Sequence, residues 1–187
     1  MDEQERKGRV ASNRAVFLDR DNTLIVNDGD LGDPAGVVLV EGAREAVESL
    51  RGAGYRVVVV TNQGGVARGK YTELDVERVN ARINELLDGA VERFYSCPYH
   101  PEATVERYRR EHPWRKPNPG MLLAAAEELG LDLKQCWLIG DQARDVEAGK
   151  RAGVRTIQIT REPITSVADF IAPSLPEAVR VIESHGV

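Results

Sequence analysis

The chain has 187 residues, 42% of them hydrophobic and 29% charged, with 30 acidic against 25 basic side chains and a net charge of −5. These totals suit a folded domain with a real core, and the negative balance argues against nucleic acid or an anionic membrane as the main partner. Two cysteines far apart, Cys97 and Cys136, form no disulfide framework and fit a reducing compartment.

Residues 1–14 are charged and lack an apolar core, so they read as a solvated lead-in and not as a secretory signal. No apolar run approaches a membrane span, and the expected address is the cytoplasm. The remainder, 15–187, reads as a single domain.

The run 15-AVFL-18 predicts a short buried strand, and the Gly/Asp-rich 27-NDGDLGDPAG-36 predicts a loop or flap. From Glu41 to Ala53, Ala43, Ala46, Val47 and Leu50 recur at helical spacing. The β-branched 55-YRVVVV-60 predicts a strand buried on both faces. Thr72 is placed to cap a helix running to about Leu87, with Leu74, Val79, Ile83, Leu86 and Leu87 expected on one stripe. Residues 91–97 predict a third strand, followed by a proline- and charge-rich loop to Asn118. Pro119 opens and Gly130 closes the next helix. Strand 136–140, helix 142–152 and strand 154–159 follow, and Ser174 and Glu177 stand in capping-box spacing before a last amphipathic helix. This alternation predicts a doubly wound, Rossmann-like parallel α/β sheet with helices on both faces and no large cap domain.

Such sheets bind ligands beyond the carboxyl ends of their strands. After the first strand stand Asp19 and Asp21; after the second, Thr61 and Asn62; after the fourth, Asp141 and Asp145. The loop after the third carries Arg115 and Lys116. Asp19 and Asp21 are two apart, so in extended chain their side chains point the same way and Arg20 points away. Solvated loop acids are the plain alternative, and one pair would not exclude it. Three carboxylates in one crevice with a lysine ask for a hard divalent cation, and magnesium fits because it combines carboxylates, water and a substrate phosphate.

Two neighbouring carboxylates with magnesium suit phosphoryl transfer through an aspartyl phosphate. One carboxylate attacks phosphorus, while the other protonates the leaving alkoxide and then activates water. Lys116 and the metal would neutralise the phosphate, with Thr61 and Asn62 donating hydrogen bonds. A rival motif, 64-GGVARGK-70, nearly spells a nucleotide-binding P-loop, but Tyr71 stands where a magnesium-binding hydroxyl is required. A signalling receiver domain would need a phosphoacceptor after a middle strand, where this chain has 96-SCP-98.

In order along the chain, DRDNT, 61-TN-62, 115-RKPNPGM-121 and 140-GDQARD-145 resemble the four motifs of the haloacid dehalogenase-like hydrolases. FLDRDNTLI, VVTNQGGVARGKYT, YSCPYHPE and RKPNPGMLL are similar to the branch holding the D-glycero-D-manno-heptose 1,7-bisphosphate and histidinol-phosphate phosphatases. The resemblance spans about Ala15 to Ile171. It implies a magnesium-dependent phosphatase of a small sugar phosphate, with the 7-phosphate of the heptose bisphosphate first and histidinol phosphate as the alternative. A catalytically silent phosphate-binding relative is disfavoured by the two aspartates.

By position, the resemblance makes Asp19 the nucleophile, Asp21 the acid/base, and Thr61 and Lys116 the phosphoryl-stabilising pair. It implies magnesium held by Asp19, the Asp21 carbonyl and Asp141. It also implies substrate contacts from Asn27, Asp28, Gly29 and Asp30 in the flap, from Asn62, Gln63 and Gly64, and from Arg115 and Gln142. Asp145 is open between direct ligation and orienting its neighbours from a helix N-terminus. The expected molecule is a monomer.

Three positions depart from the branch. Asn22 replaces a common Gly, Gln142 stands where relatives often carry a cation, and the zinc-binding loop of relatives reads Cys97, Tyr99, His112 and Trp114. Even with His100, the four ligands of a structural zinc site are not reached, and no zinc is expected.

Overall fold

The run 57-VVVV-60 has no exposed side, and it lies where that demands, inside a sheet covered on both faces. The computed structural model describes residues 12–185, so most of the expected lead-in falls outside the described residues. Six parallel strands, β1 (Ala15–Leu18), β2 (Arg56–Asn62), β3 (Arg93–Cys97), β4 (Trp137–Gly140), β5 (Arg155–Ile159) and β6 (Phe170–Ala172), run in the order 3-2-1-4-5-6.

The helices are α1 (Ala43–Gly52), α2 (Gly64–Ala67), α3 (Glu73–Leu86), α4 (Gly120–Leu129), α5 (Ala143–Ala152) and α6 (Leu175–His185). Strand periodicity divides the core. Val16, Leu18, Val57 and Val59 face α1, α3 and α6, whereas Ala15, Phe17, Val58 and Val60 face α4 and α5. The chain winds outward from β1 in one direction and from β4 in the other. The resulting switch point lies between the carboxyl ends of β1 and β4, where crevices form in sheets of this kind.

Local signals act as expected at several ends. Thr72 and Asp75 form a reciprocal capping box at the start of α3. Gly130 closes α4 in the left-handed conformation, whereas Pro119, expected as the first helical residue, takes the N-cap one position earlier. Ser174 Oγ accepts from Glu177 N at 3.4 Å.

One expected stripe is corrected. Leu74 is 53% exposed and Leu86 only half-buried; the buried face of α3 is Val76, Val79, Asn80 and Ile83. At about 100° per residue, Leu74 lies well off the direction shared by residues 76, 79, 80 and 83. β6 and the single turn α2 are additions to the expected order. Among the described residues, no helix is long and apolar enough to cross a membrane.

Candidate active site

Asp19 follows β1 directly, and its N–H still donates to Ile139 O of β4, so its carboxylate is delivered to the switch point. Lys116 reaches the same place from the loop after β3. Its loop is braced by Asn62, whose side chain donates to Lys116 O at 2.9 Å and accepts from Lys116 N at 3.0 Å. The ammonium is buried and meets Asp19 Oδ1 at 2.7 Å, Val60 O at 2.8 Å and Asp145 Oδ1 at 2.7 Å. The first two contacts are hydrogen bonds, and the third is an ion pair.

Asp145 is fully buried, and its Oδ2 accepts from Gln142 N at 3.0 Å as the N3 residue of α5. It both caps its helix and pairs with Lys116. Gly140 makes this possible, since a Cβ there would come within 2.6 Å of the Asp145 carboxylate.

Burial raises the Asp19 carboxyl to about 7, with Lys116 opposing the shift and Asp145 adding to it. Lys116 is also buried, yet Asp145 and Asp19 hold its pKa above the ordinary value. Burial likewise raises Asp141, against the hydrogen bond from Gln142. Gln142 Nε2 donates to Asp141 Oδ2 at 2.7 Å, and Asp141 Oδ1 is buried with no partner. Oxygens of Asp19, Asp141 and Asp145 lie within 4.8 Å of one another. Three carboxylates against one ammonium, with Asp141 Oδ1 and Asp145 Oδ1 both lacking a hydrogen-bond donor, fit a divalent cation bound through oxygen.

Asp21 occupies a different environment. Its Oδ1 accepts from Arg20 Nη2 at 3.1 Å and Asn27 Nδ2 at 2.6 Å, and its Oδ2 from Gln63 Nε2 at 2.9 Å and Thr61 Oγ1 at 3.4 Å. The expectation that Arg20 simply points away needs correction. It leaves the crevice but curls back beneath it, fully buried, because a guanidinium inside a protein must find its counter-charge. Asn22 takes φ 58°, the left-handed conformation that Gly would supply, and its Oδ1 also accepts from Asn27 N at 3.0 Å. This local turn aims the flap at Asp21.

The crevice has a volume of about 450 Å³. It gathers Asp19, Asp21, Asn27, Asp28, Gly29, Asp30, Asn62, Gln63, Gly64, Arg115, Lys116, Asp141 and Gln142 from the sequence expectations. Thr61 is fully buried beneath the crevice and is not part of its wall. Arg68, Tyr71 and Arg144 also line it, beyond the expected site residues. Arg68 pairs with Asp30 of the flap. Arg144 sits two residues past Gln142 and lowers the pKa of Arg115, which burial lowers chiefly; the two cations thus share one mouth.

The loop after β3 is held by rings. Tyr99 stacks on His112 at 4.3 Å, Tyr99 meets Tyr108 edge-on at 5.8 Å, and Tyr95 meets Trp114 at 5.8 Å. His100 Nδ1 and His112 Nδ1 accept from Glu102 N and Trp114 N.

Residues 113–179 match the HAD-hydrolase-like family model. The chain is 36% identical over 180 residues to the D-glycero-beta-D-manno-heptose-1,7-bisphosphate 7-phosphatase of Escherichia coli (strain K12), covering 91% of this chain and 94% of that one. It is 42% identical over 147 residues to the D-glycero-alpha-D-manno-heptose-1,7-bisphosphate 7-phosphatase of Burkholderia mallei (strain ATCC 23344), covering 77% and 78%. A HAD-like phosphatase structure from Mesorhizobium loti superposes with a TM-score of 0.83 at 36% identity, over 96% of this chain and 91% of that one. The D,D-heptose 1,7-bisphosphate phosphatase of B. bronchiseptica, complexed with magnesium and phosphate, shares the fold at a TM-score of 0.78 and 23% identity, over 92% and 99%.

Proposed function

Since this chain belongs to the haloacid dehalogenase-like hydrolases, we propose that it hydrolyses the 7-phosphate of D-glycero-D-manno-heptose 1,7-bisphosphate through an aspartyl phosphate on Asp19. The observation that carries the chemistry is the buried Lys116 ammonium, 2.7 Å from Asp19 Oδ1 and beside Asp21 in one crevice.

Lys116 holds Asp19 Oδ1 and leaves the other oxygen for phosphorus. As the Asp19 oxygen–phosphorus bond forms, the bond from phosphorus to the leaving oxygen breaks, and that oxygen takes its proton from the Asp21 carboxyl group. Water then attacks phosphorus and gives a proton to Asp21. The Asp19 oxygen–phosphorus bond breaks, inorganic phosphate leaves, and both aspartates return to their starting states. Asp19, Asp141 and the Asp21 carbonyl would hold magnesium, joined or oriented by Asp145. Bound there, the cation supplies charge neutralisation to the phosphoryl group.

Arg115 and Arg144 line the same crevice as Lys116 and are available to a second anion on the same substrate. The enzyme acts on a small sugar phosphate as a monomer in the cytoplasm, and the loop from Cys97 to Trp114 folds without zinc. The test is phosphate release from a panel containing both heptose bisphosphate anomers, the corresponding monophosphate and histidinol phosphate, with and without magnesium. The heptose bisphosphate should have the highest kcat/KM. Preference for histidinol phosphate would replace the substrate while keeping the mechanism.

A further inference from the structure

The acid/base aspartate is not held by the groups that hold the nucleophile. Asp19 is fixed by Lys116, which is itself paired with Asp145, whereas Asp21 rests on a separate buried assembly. Arg20 Nη2 bridges Asp21 Oδ1 at 3.1 Å and Gln63 Oε1 at 2.9 Å, while its Nη1 donates to Asn80 Oδ1 at 3.3 Å. Gln63 Nε2 donates to Asp21 Oδ2 at 2.9 Å and Thr61 Oγ1 at 2.8 Å. Gln63 Oε1 also accepts from Tyr71 Oη at 2.8 Å. Both amide hydrogens and both acceptor sites of Gln63 are thus spent inside the protein, and the residue is only 2% exposed.

Two glycines admit the tyrosine. A Cβ at Gly65 would come within 2.3 Å of the Tyr71 ring, and one at Gly32 within 2.4 Å of Tyr71 Cβ. Both are closer than side chains tolerate, so Gly65 and Gly32 leave the room that seats the Tyr71 hydroxyl against Gln63.

We infer that Arg20, Gln63 and Tyr71 are positioning residues for Asp21, a clamp that fixes the plane of its carboxyl group against the leaving oxygen and later against water. The inference rests on the phosphatase reading above and deepens it. A carboxyl group that could turn about its last torsion would spend most of its time out of hydrogen-bond reach of the reacting oxygen, and positioned acid–base transfer contributes about 10²–10⁴-fold. The clamp grips both oxygens: Arg20 holds one through charge, and Gln63 holds the other through an amide whose own orientation is set by Tyr71. Nothing in the clamp touches Lys116 or Asp19 by a hydrogen bond, so its loss should spare the attack on phosphorus.

That separation gives the test. In Arg20→Lys and Gln63→Met, p-nitrophenyl phosphate, whose leaving group needs no proton, should still phosphorylate Asp19. The hydrolysis of that intermediate should slow. A rapid burst of p-nitrophenolate, near one per enzyme, should therefore precede a slow steady rate. For an alkyl phosphate such as the heptose ester, kcat should fall about 10²-fold with KM nearly unchanged, since transfer to the alkoxide itself needs the proton. Tyr71→Phe, which removes one hydroxyl and keeps the ring between its glycines, should show the same pattern at a few-fold. If Arg20→Lys does not fold, Gln63→Met and Tyr71→Phe decide. Equal losses on both esters without a burst would overturn the clamp. Wild-type enzyme that hydrolyses no phosphate ester at all would sink the phosphatase reading itself, and the clamp with it.

Discussion

The floor of the crevice and the loop that arches from Cys97 to Trp114 solve opposite problems. On the floor, Lys116 and Asp145 are buried with charges that would be costly alone, and each is balanced by a named partner. In the loop, no charge is buried. Stacked and edge-on rings of Tyr99, His112, Tyr108 and Trp114 provide cohesion, with Arg110 over the Tyr99 ring at 4.2 Å. The floor tolerates no single loss, because removing one partner strands another. The loop spreads its energy over several contacts of about 1 kcal/mol each, so it should degrade gradually.

The sharpest way to break this contrast is at Lys116. Lys116→Met removes the cation that orients Asp19 and leaves two buried carboxylates facing each other, so kcat should fall by at least about 10³-fold. Circular dichroism should show a folded protein of lower Tm, because an uncompensated buried charge costs about 3–5 kcal/mol. Retention of more than a tenth of wild-type kcat would show that the floor is not built as described.

Arg144→Ala probes the mouth, where charge is exposed and contributes less. KM for the heptose bisphosphate should rise about tenfold, a loss of about 1.4 kcal/mol, while the kinetics with p-nitrophenyl phosphate stay the same. An equal change for both substrates would remove Arg144 from the recognition of a second anion.

The smallest effect is expected in the loop. Tyr99→Leu loses the ring contacts but keeps an apolar side chain, and Tm should drop by only a few degrees, following a loss of about 1–2 kcal/mol. Elemental analysis of protein purified without added metal should find no stoichiometric zinc. One zinc per chain would reassign the loop from rings to metal.

The same contrast explains how much could be read from residue order. Strands and most helices were legible because burial imposes a period of 2 or 3.6, and Asp19, Asp21, Asn62, Lys116 and Asp141 were legible because they follow strands at one end of a parallel sheet. Arg20 was not. A buried guanidinium has no periodic signature, and its role depends on Asn80 and Gln63, which arrive from 60 and 43 positions away. Residue order alone leaves Asp145 between two roles, because only the fold reveals that one carboxylate can cap α5 and pair with Lys116. β6 is three residues long with Ile171 49% exposed, too short and too mixed to set up an alternation. α2 begins on two glycines, which as helix formers argue for loop. In sequence Tyr71 looks like a defect in a P-loop; its seat between Gly32 and Gly65 exists only once the flap has returned.

Lys116 is only 1% exposed, and its ammonium is hydrogen-bonded to Asp19 and Val60 O and paired with Asp145. Such an amine is chemically silent. It offers no lone pair to an acylating reagent and no surface to a modifying enzyme, while Lys70 and Lys134 on the exterior react at once. Acylation of Lys116 therefore requires the floor to open first, and its slow labelling would serve as a clock for that opening, read from one residue in a folded, working population.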